Sequence, residues 1–205
     1  MPERTPPRYQ LVGGRLCLDF CNTYRDRGGP SEERFCGYRD VVGWAWRTGV
    51  LNGEEADRLT RLGARSPTEA LLVHERALRL RGALRSIFVT VAAGRRIRAA
   101  LLETLNEELA SALVRSQVVP TDDGFTWLWA EGGRALDCML WPVARSAADL
   151  LTEGPLASIR VCEGRSCGWL FLDTSRNRTR RWCTMQVCGN RAKARRHHER
   201  AKLTA

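Results

Sequence analysis

Lysine is nearly missing from this chain: of 33 basic residues in 205, only Lys193 and Lys202 are lysines. A GC-rich genome produces that bias as readily as selection for guanidinium chemistry does, so one arginine at one position carries little weight. Long apolar runs are also missing. No stretch reaches the roughly eighteen apolar residues that a membrane-spanning helix needs. The opening MPERTPPRYQ has no apolar core of a secretory signal, so a cytoplasmic chain is expected. There is no internal repeat and no low-complexity tract. No nucleophile–base pair, glycine-rich phosphate loop or convincing carboxylate pair is present, so an enzyme is not expected. The neighbouring Asp122 and Asp123 read as a turn.

What is present is unevenly spread. From Arg160 to Ala205 there are twelve Arg and Lys against three acids, a charge of +9. Residues 1–159 hold 21 basic and 20 acidic residues and are nearly neutral. Such asymmetry points to a polyanion, most often nucleic acid. Eight cysteines in a cytoplasmic chain favour metal sites and buried thiols over disulfides. The length suits one medium domain and a small one, divided here as 1–154 and 155–205.

Residues 1–10 read as a loose arm and Arg25–Pro30 as a loop. Between them, Leu11–Tyr24 fits both a strand (Leu16, Leu18 and Phe20 alternate) and a helix (Leu16 with Phe20, Cys17 with Cys21). Asp40–Thr48 reads as a short helix carrying Trp44. Asn52 is the expected N-cap of a helix running to Leu62, with Glu54 and Glu55 in its first turn. Ser66–Pro67 is an N-cap and N1 pair opening a long helix to about Val91, with Leu71, Leu78, Ile87, Phe88 and Val91 as its apolar positions. Another helix is expected over Arg98–Leu113, with Leu101, Leu102, Leu105, Leu109 and Leu113 on one face. The period then changes. Ser116–Pro120 and Phe125–Ala130 flank TDDG as a hairpin, with Trp127 and Trp129 on one side as core residues. Ala135–Thr152 returns to helix, with Pro142 marking a kink or a break. The fold class expected is α+β: a mainly helical N-terminal domain with a small β-hairpin sheet, and a small treble-clef-like module.

That module is framed by four cysteines. Cys162 and Cys167 have four residues between them, as do Cys183 and Cys188, and fifteen residues separate the pairs. Two close pairs at short separation offer four thiolates to one tetrahedral Zn²⁺. All four positions would be sulfur, so the zinc is structural and has no site open to water. The plainer alternative is a set of reduced buried thiols. Gly168–Leu172 reads as a strand, Asp173–Asn177 as a turn, Arg178–Trp182 as the returning strand and Cys183 onward as a helix start. Trp169, Phe171 and Trp182 are the expected core beside the metal. Without zinc, so small a unit buries too little to fold alone. The helix expected over Asn190–Lys202 carries Arg191, Arg195, His198 and Lys202 on one face, with Lys193, Arg196, His197 and Arg200 over much of the rest.

The run RRWCTMQVCGNRAKARRHHER (Arg180–Arg200) closely resembles the CGNR zinc finger, including Cys188, Gly189, Asn190 and Arg191. The upstream pair and Phe171, Asp173 and Arg178 fit the same pattern. GGRLCLDFCNT (Gly13–Thr23) is similar to the opening of the ABATE domain of stress-induced transcription regulators, which usually precedes this finger. The resemblance implies DNA binding and regulation of transcription. Cys21 stands where the opening motif commonly has a small residue.

The candidate nucleic-acid contacts are Arg178, Arg180, Arg181, Arg191, Lys193, Arg195, Arg196 and His198, with Arg191 and Arg195 foremost. The plainer reading is a solvated surface partly offsetting a Zn(Cys)₄ charge of −2, a task suited to Arg165 and Arg181. Cys17, Cys21 and Cys36 lack a fourth ligand and read as buried structural thiols. Asp19 and Asn22 either fix a turn, the preferred reading, or line a ligand pocket. His74, among charged neighbours in the long helix, reads as an ordinary surface or satisfied histidine. The leading expectation is a zinc-dependent DNA-binding regulator whose N-terminal domain senses a small-molecule effector or mediates assembly. One small module gives few contacts, so specificity is expected to need a homodimer or a second module. The rival is an interaction module whose finger binds protein or RNA.

Overall fold

The computed structural model describes residues 9–25, 32–130 and 134–203. Most of the arm at residues 1–10 and of the loop at Arg25–Pro30, and the Lys202 side chain, lie outside the described residues. The architecture is α+β, with seven α-helices and three two-stranded antiparallel sheets among the described residues.

Helix α1 (Leu16–Cys21) settles the ambiguity of the opening motif. Cys17, Leu18, Phe20 and Cys21 are all buried, because the helix is enclosed by other elements. A short segment covered on several sides shows no clean period, which is why both readings fitted. A two-residue ladder of β1 (Tyr24–Arg25) and β2 (Glu32–Glu33) follows. Helix α2 (Tyr38–Arg47) supplies Trp44, whose ring meets Phe20 at 5.0 Å and Phe35 at 6.2 Å.

Helix α3 (Gly53–Arg65) starts on a full capping box: Asn52 Oδ1 accepts from Glu55 N, and Glu55 Oε2 from Asn52 N. Helix α4 (Pro67–Ala92) is the central strut, about 39 Å long at 1.5 Å per residue. Pro67 opens it as expected, but the Ser66 side chain makes no capping hydrogen bond. Its buried stripe runs Ala70, Val73, Ala77, Leu80, Leu84, Ile87 and Phe88. Leu71, expected in that stripe, is 54% exposed. Two of the seven inward positions are alanines, and a reading weighted by large side chains misses their phase.

The next helix is split: a 3₁₀ turn, Ala99–Leu102, leads into α5 (Glu103–Leu113). Leu105 is buried, whereas Leu113 is exposed. Arg76 on α4 holds α5 electrostatically, bonding Glu108 at 2.8 and 3.0 Å and Asp137 at 3.0 Å. Strands β3 (Ser116–Thr121) and β4 (Gly124–Trp129) form the expected hairpin around Asp122–Asp123. Trp129 packs on Trp141 at 5.8 Å, but Trp127 is not a core residue: it is 48% exposed, with the Arg145 guanidinium 4.3 Å above its ring. Helix α6 (Leu140–Thr152) starts later than expected and has no break at Pro142. Pro142 is its third residue, in the first turn, where an N–H has no helical acceptor to lose.

Strands β5 (Ile159–Val161) and β6 (Leu170–Leu172) pair with Ile159 opposite Leu172 and Val161 opposite Leu170. This corrects the expected hairpin: β6 pairs upstream, and Arg178–Trp182 forms no strand. Alternation along β6 divides its side chains. Leu170 and Leu172 join the main core with Ile159, while Phe171 turns to a second cluster with Trp169 and the four cysteines. Helix α7 (Asn190–Leu203) is preceded by a π-helical turn, Met185–Gly189, and not by a helix starting at Cys183. Among the described residues, no helix is long and apolar enough to cross a membrane.

Candidate metal centre and its basic surroundings

Cys162 follows β5, and its amide donates to Trp169 O at 2.7 Å, closing the first knuckle. Cys167 sits on a tight turn through its own amide to Gly164 O at 3.0 Å. A Cβ on Gly164 would lie 3.1 Å from both Cys188 Sγ and Cys167 Cβ, so glycine lets the knuckle close over the sulfurs. Cys183 precedes the π-helical turn and Cys188 lies within it. Thr184 caps that turn by accepting from Val187 N.

The four sulfurs lie within 4.8 Å of one another. Cys183 Sγ is 3.7 Å from Cys167 Sγ and 3.7 Å from Cys188 Sγ. A tetrahedron with Zn–S bonds of about 2.3 Å has edges of about 3.75 Å. Disulfide sulfurs sit about 2.05 Å apart, and all eight cysteines are free. The backbone amides of Gly164 and Cys183 point at Cys162 Sγ, at 3.4 and 3.3 Å, as donors to a thiolate. As bare thiols the four are in conflict. Hydrogen bonds from the Cys167 and Cys183 thiols pull Cys162 well below the ordinary thiol range. The bond to Cys162 pushes Cys167 up to about 12, the bonds to Cys162 and Cys167 push Cys183 far up, and burial raises Cys188. A divalent cation relieves that conflict by bonding all four thiolates at once, leaving a net charge of −2 on the centre. Cys162, Cys167, Cys183 and Cys188 thus form the site of one structural zinc, which cross-links the two knuckles when bound.

The segment between the knuckles is organised by Asp173. Burial works against its charge, but hydrogen bonds from the Ser175 hydroxyl and amide and the Arg180 amide hold its carboxyl below the usual range. Within this turn Arg178 adopts φ +49°, incompatible with an extended strand. Arg180 is consumed inside the finger: Nε donates to Trp182 O, Nη2 to Cys183 O, and the guanidinium lies 4.6 Å over Phe171. Arg181 pairs with Glu163 at 2.7 Å, and its carbonyl accepts from Glu163 N. Lys193, Arg196 and His198 are exposed along α7, as is Arg191 at its start, and Arg195 is half-buried. Ala192 is buried and seats the helix, a small apolar anchor that the charge pattern hid.

The opening motif reaches this module directly. Asn22 Nδ2 donates to Leu170 O at 2.8 Å, and Leu170 N donates to Asn22 Oδ1 at 2.8 Å. Asp19 Oδ1 accepts from Gly13 N at 2.8 Å, and burial pushes its carboxyl up. Gly13 O in turn accepts from Leu172 N at 2.9 Å. A Cβ on Gly13 would fall 2.8 Å from Leu18 Cβ and Asp19 N, so this crossing needs glycine. Both Asp19 and Asn22 are therefore engaged with backbone. Arg85 on α4 donates to Gly168 O at 3.2 Å, and Arg34 lies 5.6 Å over the Trp169 ring. Nothing in the local sequence marks Arg34 or Arg85 as neighbours of the finger.

The remaining cysteines hold no metal cluster among the described residues. Burial pushes Cys17 up to about 12, Cys138 up to about 12 and Cys21 well above its ordinary value. Cys36, expected to be buried, is exposed. His74 Nε2 lies 2.8 Å from Phe35 O, a satisfied histidine as expected.

Residues 158–201 match the CGNR zinc finger. Residues 14–154 match ABATE, a family described as "putative stress-induced transcription regulator". No curated protein matches the chain. Neither family description names a reaction. With well over half its length covered by the first match, the chain belongs to the ABATE family and carries a CGNR zinc finger after the ABATE domain.

Proposed function

We propose that this protein is a DNA-binding regulator of transcription in which zinc fixes the start of a cationic helix. The observation that carries this reading is α7 itself. It begins two residues after the last sulfur ligand and presents Arg191, Lys193 and Arg196 to solvent. None of these three has an ion-pair partner among the described residues. A helix anchored by a metal at one end and charged along its length is a phosphate-contacting element. Arg195 and His198 on the same helix, and Arg178 at the turn tip, extend the contact set. Arg180 and Arg181 support the finger through their contacts inside it.

The residues before the finger form the sensing or assembly part in this reading, and stress is the class of signal that the family description supports. A homodimer supplies the second set of contacts that one short helix lacks. The cytoplasm suits eight free cysteines. Selection from random duplex DNA, with and without a zinc chelator, tests the reading. A zinc-dependent enriched motif is expected. Absence of enrichment, with salt-sensitive binding to any polyanion, overturns sequence-specific regulation in favour of an interaction module.

A further inference from the structure

Strands β3 and β4 form a sheet of their own: among the described residues no third strand pairs with either. A two-stranded hairpin is marginal alone, and the body grips this one at its base, through Trp129 on Trp141 and the Arg145 guanidinium over Trp127. Beyond that grip one face is apolar. Val118 lies opposite Trp127 and Pro120 opposite Phe125, so the four share a face. Phe125 is 80% exposed and Val118 59%.

The two edges of the hairpin differ. Ala130 N donates to Arg115 O at 2.7 Å, and hydrogen-bonded pairs alternate along an antiparallel ladder. Ser116, Val118 and Pro120 on β3 therefore turn their backbone groups outward, as do Phe125, Trp127 and Trp129 on β4. Pro120 has no N–H, which blunts the β3 edge. β4, with the sequence GFTWLW, has neither a proline nor a charge, the devices that keep an edge from pairing with another chain.

We propose that β4 pairs antiparallel with β4 of a second copy across a two-fold axis, joining the two hairpins into one four-stranded sheet. A two-fold contact must complement itself, and an uncharged antiparallel edge does so: each copy supplies the N–H and C=O groups that the other lacks. The aromatic rows come side by side, with Phe125 and Trp127 of the two copies as cross-strand neighbours. The acidic turn residues Asp122 and Asp123 of the two copies lie at opposite ends of the pair, where they do not repel. The size of the surface sets the strength. Phe125, Trp127, Val118 and, on the other face of β4, Leu128 leave roughly 450 Å² of apolar side chain exposed, at about 150–250 Å² for a large side chain. Side-by-side strands cover part of this and add the backbone edge. That falls short of the ~800 Å² per partner of a standard interface and fits a reversible dimer. The inference gives the homodimer of the proposed function its surface, and it does not need DNA binding.

The test is sedimentation of the full-length zinc-loaded chain, without DNA, over a range of concentration. A monomer–dimer equilibrium with a dissociation constant of about 1–100 µM is expected. Phe125→Asp should weaken it at least about tenfold, because it places a like charge on both copies at the contact. Phe125 is largely exposed, so this variant should keep its zinc and its unfolding midpoint. Gln117→Asp, on the opposite face and the far strand, should leave the equilibrium unchanged. Amide exchange then locates the contact: the outward amides of Phe125 and Trp127 should slow as concentration rises. A chain that stays monomeric to about 1 mM overturns the proposal, and if it instead sediments with phosphatidylcholine vesicles through Phe125, the face is a membrane contact. A dimer that is indifferent to Phe125→Asp, or that leaves the Phe125 and Trp127 amides exchanging freely, has its interface elsewhere and overturns it too. Any of these failures leaves DNA binding untouched, and a failed DNA selection leaves the dimer standing.

Discussion

The amide of Asn22 and the backbone of Leu170 exchange two hydrogen bonds of 2.8 Å, across 148 residues of sequence. Asn22 thus acts as a one-residue strand on the free edge of β6, whose other edge pairs with β5. Both groups are buried, so an alanine leaves a backbone N–H and C=O unpaired. Each such loss costs about 1–3 kcal/mol, and Asn22→Ala is expected to destabilise the protein by about 2–5 kcal/mol in denaturant unfolding. Asn22→Asp should do at least as much harm, because a carboxylate cannot donate to Leu170 O. A shift below about 0.5 kcal/mol would show that the pair is not needed.

The metal should matter to one side of β6 and not to the other. Leu170 and Leu172 are held by the main core, Phe171 by the cysteine cluster. The wild-type protein is expected to hold one zinc and Cys183→Ser to hold none, by elemental analysis. Chelation should then speed amide exchange over Cys183–Arg200, while Leu170 and Leu172 stay protected through the core and through Asn22 and Gly13. Stoichiometric zinc in Cys183→Ser would refute the four-sulfur assignment.

Glu33 offers a pH signature away from the metal. Arg81 is buried and makes paired bonds to it of 2.7 and 2.5 Å, with a third bond to Thr23 Oγ1. Burial raises the Glu33 carboxyl, but the Arg81 bonds outweigh it and the net shift is downward. A depressed carboxylate contributes its stability fully above its unfolded value, about 4.3, and loses it as pH falls through the lower folded value. Glu33→Gln is therefore expected to cost about 2 kcal/mol near neutrality, the scale of a hydrogen bond to a charged group. That difference should shrink below about pH 4. A cost that stays constant down to pH 3 would mean that the charge of Glu33 contributes nothing.

How far the sequence reveals this structure depends on the range of each signal. The cysteine spacing and the Asn52–Glu55 cap are local, and both are legible because their partners lie within a few residues. The phase of α4 was not legible, because Ala70 and Ala77 look neutral in a pattern weighted by leucine. The pairing of β6 was missed for a different reason. The downstream segment has strand-like composition, but Arg178 adopts φ +49° and Asp173 gathers the chain into a turn. The joins between the finger and the residues before it, through Gly13 and Asn22 of the opening motif, Arg34, and Arg85 on α4, are tertiary. A single sequence carries no sign of which distant backbone a buried amide will meet.

The arginines of the finger should divide by what their guanidiniums already touch. Arg181 is paired with Glu163 and Arg180 with two backbone carbonyls, whereas Lys193 and Arg196 project from α7 without partners among the described residues. If α7 lies along phosphates, Lys193→Ala and Arg196→Ala should each weaken DNA binding across all sequences and flatten the salt dependence by about one unit of log K against log salt. Arg181→Ala should leave both quantities nearly unchanged, since an exposed ion pair contributes little. Arg180→Ala should act through stability, lowering zinc retention together with DNA affinity. Fluorescence anisotropy over a range of salt, alongside zinc analysis, separates the three behaviours. A salt slope lowered by Arg181→Ala and untouched by Arg196→Ala would move the contact surface from α7 to the knuckle, because the counterions released on binding are those displaced by the side chain that meets the phosphate.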